Sequence, residues 1–279
     1  MIIWCASYPK SGNTWVRAII SSLLYSKDGV FNFNLLREIS QFPRRTYFKD
    51  FTNDYFKLDK LSQYWIPAQE KINSDGKLRI YKTHNGNFNI SGNDFTNKIN
   101  TQGVIYIVRD PRNLVTSISN HYQINMEESV NFLIDEKRQL YSLDPENNFE
   151  WNMVNLLSSW KNHYNSWKIS SNLILIKYED LLYDTKSQIK RLSMFLKRFG
   201  EFESNDKKIN NIIKTTSFEI LKKKEEKEGF EEASEESKDT NIKFFNLGPK
   251  NNWKDIVDKR LIYKIENTFK KEMEELNYL

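Results

Sequence analysis

With one cysteine, Cys5, the chain has no means of closing an internal disulfide and cannot build a thiolate metal cluster. Its three histidines, His84, His121 and His163, lie far apart in sequence, which argues against a histidine metal site. No apolar run approaches the length of a membrane span. The first residues, MIIWCAS, are too short for the core of a signal peptide and run straight into a glycine-containing loop, so the expected compartment is the cytoplasm. Nor is there a strong excess of either charge. The net charge of +5 is spread out, with lysines alternating with glutamates, which favours an anionic small ligand over a nucleic acid.

The 279 residues suffice for a sizeable core, and 28% charged residues make the surface polar. Residues 2–6 read as a short buried strand, and residues 13–25 as a helix with Trp15, Ala18, Ile19 and Leu23 turned inward. Three further strand-like runs occupy 78–84 (LRIYKTH), 103–110 (GVIYIVRD) and 172–180 (NLILIKYED). Nearly continuous apolar runs separated by helical stretches predict an α/β domain with a central parallel sheet covered by helices on both faces. Helices are expected at 150–170, with a core stripe of Val154, Leu157, Trp160, Tyr164 and Trp167, at 184–199 starting from Asp184, and at 255–279. Two regions stand apart. Residues 27–75 are aromatic-rich and offer either an acceptor pocket or ordinary core; residues 222–240 hold a charged run read as a solvated segment or a mobile lid.

Three motifs carry chemistry. The first, SYPKSGNTWVRAII, joins the first strand to the first helix as a phosphate loop does. Its cation is misplaced for a Walker motif: Asn13 stands where the lysine should follow the glycine, and Lys10 precedes Gly12 instead. Lys10 supplies a full charge, Ser11 and Thr14 supply hydroxyls, and the helix start supplies N–H groups. The second motif, YIVRDPRNLVTS, puts Arg109 at the carboxyl end of a strand and Ser117 two turns into the following helix, a suitable pair for a phosphate monoester. The third, YKTH, sets Lys82 and His84 at alternate positions of one strand, facing one side. A neighbouring ammonium favours the neutral imidazole that a general base requires. His121 and His163 read as structural.

Together these motifs resemble the cytosolic-type sulfotransferase family across nearly the whole chain. The resemblance implies a P-loop-like three-layer α/β fold and transfer of a sulfuryl group from 3′-phosphoadenosine 5′-phosphosulfate (PAPS) to a hydroxyl or amine acceptor, leaving 3′-phosphoadenosine 5′-phosphate (PAP). YPKSGNTWV is similar to the family's 5′-phosphosulfate loop, which implies cofactor contacts from Lys10, Ser11, Gly12, Asn13, Thr14 and Trp15. Arg109 and Ser117 match its 3′-phosphate motif, and His84 its catalytic histidine. Tyr178 in KYEDL matches a tyrosine at the adenosine, and Thr216, Ser217 and Phe218 match a segment on adenine. Catalytic roles are thereby implied for His84 as base, Lys10 at the leaving oxygen, Lys82 beside the transferring group, and Ser117 as a brake on Lys10. No metal is implied, because a sulfuryl group brings less negative charge than a phosphoryl group. The implied partner is a small-molecule, lipid or carbohydrate acceptor.

FFNLGPKNNWK departs from the family's closing signature, R-K-G-x-x-G-D-W-K: Asn246, Leu247 and Gly248 replace Arg-Lys-Gly, and Asn251 and Asn252 replace Gly-Asp. The family's 3′-phosphate arginine is therefore missing; either Lys250 substitutes for it, or Arg109 and Ser117 suffice. The dimer motif also departs, with Asp258 and Lys259 in place of Thr-Val. Two other readings stand beside this one: a small-molecule kinase with Asp110 as Mg²⁺ ligand, and a nucleotide-binding protein without catalysis.

Overall fold

A computed structural model describes residues 1–141, 153–230 and 243–279. Labelled elements are β1 (Ile2–Ser7), α1 (Asn13–Tyr25), α2 (Trp65–Asn73), β2 (Arg79–Thr83), β3 (Thr101–Val108), α3 (Pro111–Tyr122), α4 (Met126–Ile134) and α5 (Trp160–Lys168). They continue with β4 (Leu173–Lys177), α6 (Tyr178–Tyr183), α7 (Thr185–Leu196), α8 (Asp206–Thr215), α9 (Phe218–Glu228) and α10 (Lys259–Glu275). The strands form a central parallel sheet in the order β2-β1-β3-β4, interleaved along the chain with helices. β1 pairs in parallel with β2, from Ile2↔Arg79 to Ala6↔Thr83, and with β3, from Ile3↔Gly103 to Ser7↔Ile107. All six residues of β1 are buried, as the unbroken apolar run requires of a strand covered on both faces.

The chain separates into two compact units. One comprises Met1–Tyr8, Ile39–Val108 and Asp135–Ile176; the other comprises Pro9–Glu38, Arg109–Ile134 and Lys177–Leu279. The first unit holds the sheet and is built around Trp4, whose ring centroid lies 5.5 Å from Phe42, 5.4 Å from Phe95 and 6.3 Å from both Tyr81 and Trp167. Its indole N–H is satisfied by Thr101 Oγ1 at 2.9 Å, so this ring leaves no unpaired donor. Of the aromatics in the region expected to offer either pocket or core, Phe42 and Phe48 are fully buried in this core, whereas Phe51 and Tyr55 are half-buried and Phe56 is exposed. The second unit is helical. Its apolar centre joins Ala18 of α1, Phe31, Leu36, Leu221 of α9 and Phe245.

Four boundaries differ from expectation, each for a local reason. The run 172–180 is strand only to Lys177; Tyr178 opens α6, whose first turn carries Glu179 and Asp180, charges that suit a helix amino terminus. Of the helix expected over 150–170, residues 150–152 lie outside the described residues, and within 153–170 the chain is helical only at Trp160–Lys168. Asn155–Leu156 pairs with Gln139–Leu140, Ser158 has a left-handed backbone (φ 57°), and Ser159 caps the helix by accepting from Asn162 N–H. All five residues of the expected stripe are nevertheless buried, so burial was read correctly from a wrong period. Strand β3 stops at Val108, because Asp110 caps α3 by accepting from Arg112 N–H with Pro111 in the first turn. At the carboxyl end a short turn, Trp253–Ile256, precedes α10, and the side chain of Asp258 caps the new start. Of the charged run, residues 222–228 lie in α9, which buries Leu221 and Glu225; the remainder of the suggested lid, from 231 on, falls outside the described residues.

Phe42 touches Trp4, Tyr47, Phe48, Tyr81 and Phe95, so its removal leaves a cavity that no single neighbour can fill. Phe42→Ala is expected to cost about 3–5 kcal/mol in urea unfolding. Phe51→Ala, at a half-buried ring stacked on Tyr64, is expected to cost clearly less. Equal losses would mean that the aromatic cluster is not the core of this unit.

Candidate functional site

In the second unit, the loop before α1 combines two left-handed residues, Lys10 (φ 67°) and Gly12 (φ 99°), around Ser11. Alternating handedness turns successive N–H groups toward one point, a concavity suited to an anion. Helix α1 follows with no side-chain cap at Gly12 and no acidic residue in its first turn, so its positive end faces the loop. Glycine is required at position 12 for two reasons. The backbone is left-handed, and an added Cβ would stand 2.6 Å from Cδ2 of Tyr178.

Tyr178 organises this half of the site. The Arg109 guanidinium lies 4.1 Å from its ring centroid, and Trp15 meets it edge-on at 5.7 Å. Burial, outweighing the nearby Arg109 charge, raises the phenol pKa, so the ring stays neutral. Arg109 is buried and donates from Nη1 to the Lys10 carbonyl at 3.2 Å, tying the strand end to the loop. The neighbouring Asp110 pairs with Arg112 at 2.7 Å, and Arg112 also reaches Glu266 and the Tyr278 carbonyl. That pairing occupies the carboxylate assigned to Mg²⁺ in the kinase reading.

The buried donors of this unit without a hydrogen-bond partner among the described residues include Ser11 Oγ, Trp15 Nε1 and Arg109 Nε, with Ser22 Oγ further along α1. Buried donors are normally satisfied, so the two against the Tyr178 ring, on Trp15 and Arg109, and that of Ser11 in the loop point to an acceptor that binds there. Asn13 Oδ1 and Thr14 Oγ1 accept from Arg17, at 2.9 and 3.5 Å. Arg17 was missed in the sequence reading, although its spacing of four from Asn13 is the helical signal for such a pair. The Lys10 ammonium lies 3.8 Å from the ring centroid of Phe244, a second residue missed.

Phe244 is held because its backbone N–H and that of Phe245 both donate to the buried Glu225 carboxylate, at 2.6 and 2.9 Å. Beyond it, the departures from the family signature make contacts of their own. Asn246 Nδ2 donates to Asn120 Oδ1 at 2.8 Å. Asn251 accepts from Thr116 Oγ1 at 2.7 Å and donates to the Asn113 carbonyl at 2.8 Å. Helix α3, which carries half-buried Ser117, is therefore docked by this segment. Gly248 (φ 54°) lies against Phe218, whose ring would stand 2.4 Å from an added Cβ. Thr216 is buried with its hydroxyl on the Ile212 carbonyl, and Ser217 occupies the cap position of α9. Lys250 is exposed.

The first unit carries the histidine. Strand β2 ends at Thr83, and His84 is the first residue beyond it. Its Nδ1 lies 2.8 Å from the Ser7 carbonyl at the end of β1; a carbonyl only accepts, so Nδ1 bears the proton and the neutral ring keeps its lone pair on Nε2. Lys82 is buried, and its backbone N–H donates to the Ser40 carbonyl at 2.8 Å. His163, expected to be structural, is fully buried between Tyr106 Oη (2.9 Å from Nδ1) and the His84 carbonyl (3.1 Å from Nε2). Burial pushes its pKa down to about 3. Among the described residues no cluster of three or more His, Cys, Asp or Glu could hold a metal ion, and no helix is long and apolar enough to cross a membrane.

A parallel α/β sheet whose first strand feeds an anion-binding loop and helix defines a nucleotide-binding class of fold. Within that class the chain belongs to the sulfotransferase family: the sulfotransferase domain matches residues 2–277. Flavonol 3-sulfotransferase of Flaveria bidentis is 24% identical over 274 residues, covering 95% of this chain and 79% of that protein. The 3-alpha-hydroxysteroid sulfotransferase of Cavia porcellus is 25% identical over 225 residues, covering 78% of this chain and 65% of its own. Among solved structures, mouse sulfotransferase SULT7A1 complexed with PAP superposes with a TM-score of 0.61 at 19% identity, covering 98% of this chain and 84% of that one. Retinol dehydratase in complex with androsterone and the inactive cofactor PAP gives 0.59 at 18%, covering 98% and 80%. These two structures share the fold.

The buried neutral His163 makes a signed prediction. Its folded pKa of about 3 lies below the ordinary value of 6.5, so between those limits the unfolded chain binds a proton that the folded chain refuses. Its contribution is whole above pH 6.5 and is lost as pH falls toward 3. The slope is about 1.4 kcal/mol per pH unit. His163→Gln should remove this slope from urea-unfolding free energies between roughly pH 6 and 4; an unchanged slope would show that His163 does not resist protonation.

Proposed function

We propose that this sulfotransferase moves a sulfuryl group from PAPS to a hydroxyl or amine of a small-molecule acceptor, with His84 as general base. The observation that carries the nucleotide site is the set of three buried donors without partners, Ser11 Oγ, Trp15 Nε1 and Arg109 Nε, beside an anion-binding loop. These residues fit a phosphorylated nucleotide. Lys10, Ser11, Gly12, Asn13, Thr14 and Trp15 would hold its 5′ end; Arg109 and Ser117 would hold the 3′ phosphate. Tyr178, Thr216, Ser217, Phe218 and Gly248 would border the adenosine, and Lys250, being exposed, is a peripheral contributor. Bound there, PAPS supplies an activated sulfuryl group.

The chain's own residues do the rest. His84 Nε2 carries the lone pair that takes the acceptor's proton, while Nδ1–H stays on the Ser7 carbonyl and holds the ring in that tautomer. Lys10 brings a full positive charge to the loop where negative charge grows as transfer proceeds, and Lys82 adds a second cation beside His84. A sulfuryl group is less charged than a phosphoryl group, so ammonium groups and backbone N–H groups suffice without a divalent ion. The acceptor is a small molecule, in keeping with the flavonol and hydroxysteroid named for the two relatives. Lipid and carbohydrate hydroxyls fall in the same chemical class.

Calorimetric titration with PAP should show the same binding with and without EDTA. Binding that vanished on chelation would overturn the cation assignments. In the same assay Arg109→Ala is expected to weaken PAP about 10- to 150-fold, the worth of a charge-assisted hydrogen bond of ~1.5–3 kcal/mol. Lys250→Ala should do less, and a larger effect there would move the 3′-phosphate site away from Arg109.

His84→Ala should lower turnover with a hydroxyl acceptor by ~10²–10⁴-fold while leaving the PAP dissociation constant within a factor of about two. Near-normal turnover would remove His84 from the mechanism.

A further inference from the structure

The turn that follows β2 is fastened by one face of helix α5. His163 Nε2 donates to the His84 carbonyl at 3.1 Å, Ser166 Oγ accepts from Asn87 N–H at 2.9 Å, and Trp167 Nε1 donates to the Asn85 carbonyl at 3.0 Å. Positions 163, 166 and 167 are spaced three and four apart, so they share one helix face and grip successive peptide groups of the turn. All three side chains are buried, as is Asn85, whose Oδ1 accepts from Leu156 N–H at 2.8 Å. The turn has little freedom left.

His163 has the most specific arrangement. The His84 carbonyl can only accept, so His163 must present Nε2–H to it; its Nδ1 then has a lone pair, and the Tyr106 hydroxyl donates to that nitrogen at 2.9 Å. Tyr8 closes the pocket edge-on at 5.5 Å. Tyr106 thus selects the tautomer of His163, and His163 anchors the peptide group of His84. Both rings lie in buried surroundings where a wrong tautomer would leave two polar atoms unpaired.

We infer that His163, with its tautomer set by Tyr106, is a positioning residue for His84: its Nε2–H holds the His84 carbonyl so that the His84 ring keeps its Nδ1–H on Ser7 and presents Nε2 to the acceptor. The inference rests on the reading of His84 as the base and deepens it. Histidine suits the place because one buried side chain there donates one hydrogen bond and accepts another. A misplacement of about 1 Å at a reacting group lowers turnover by as much as ~10²-fold, and this is the error the clamp prevents.

The test uses the full chain with ¹⁵N-labelled histidine. Three histidines make three imidazole signatures, assigned by replacing each in turn. The unmodified chain should show His84 protonated at Nδ1 and His163 protonated at Nε2. His163→Phe removes the donor and keeps the bulk; it should lower kcat by roughly 10- to 100-fold with PAP affinity unchanged, and His84 should become a mixture of tautomers. His163→Gln restores an N–H near the same place and should recover most of the rate and the single tautomer. Tyr106→Phe, which deletes only the hydroxyl, should mix the His163 tautomers and lower kcat by several-fold, so it reads the same chain of contacts should His163→Phe fail to fold.

Wild-type turnover in His163→Phe, or equal losses in His163→Phe and His163→Gln with PAP binding intact, would overturn the inference. So would unchanged tautomers and rate in Tyr106→Phe. The spectra also separate this inference from the assignment of the base: active His84→Ala would refute the base, whereas a His84 tautomer indifferent to position 163 would refute the clamp.

Discussion

The ring of Tyr178 fills the space that any side chain at position 12 would need, and the second unit's loop is arranged around that fact. With no Cβ at Gly12, the loop takes a left-handed turn there and α1 begins with its N–H groups directed at the loop. The same ring supports the Arg109 guanidinium on its face and Trp15 at its edge. Arg109 in turn holds the Lys10 carbonyl, which keeps the left-handed backbone at a lysine, an unfavourable conformation for a residue with a side chain. One aromatic ring therefore sets the backbone of the anion loop, the direction of its arginine and the packing of its tryptophan.

In the first unit, carbonyl groups play the corresponding part. Because they only accept, the Ser7 carbonyl dictates which nitrogen of His84 is protonated, and the His84 carbonyl dictates the same for His163. For the proposed role of His84 as base, the sequence offers only the charge of Lys82 to keep the imidazole neutral. The hydrogen-bond pattern adds something charge alone does not supply, namely which nitrogen is basic and where it is held.

In the carboxyl-terminal segment, amides make the docking contacts at positions where the sequence departs from the family signature. Asn246 and Asn251 use amide hydrogen bonds to attach the segment to α3, and the Asn113 side chain accepts from Trp253 N–H at 3.0 Å. Amides can donate and accept at once, so they fasten a loop to exposed turns of a helix without demanding a counter-ion. Arg112 provides the buried ionic anchor nearby, joined to Asp110, Glu266 and the Tyr278 carbonyl and covered by Trp253 at 3.9 Å. Its carboxylate partners keep its buried charge from being left uncompensated.

Much of this was legible in sequence because it is local. Apolar runs marked β1, β2 and β3, since a strand buried on both faces admits no polar alternation. The order strand, Lys-Ser-Gly, helix marked the loop, and the motifs put Arg109, Ser117 and His84 forward as candidates. The sequence by itself also determined which residues are buried around 154–167, though not their conformation, because a periodic stripe suits several backbones and Ser158 and Ser159 break it. What only the tertiary structure decided are contacts between residues far apart in the chain. The Tyr178 ring against Gly12, Phe244 over Lys10, and His163 on the His84 carbonyl have no local signature. Their distances in sequence are bridged by packing, and a hydrogen-bonded tautomer exists only once the buried partner on each side of the ring is in place.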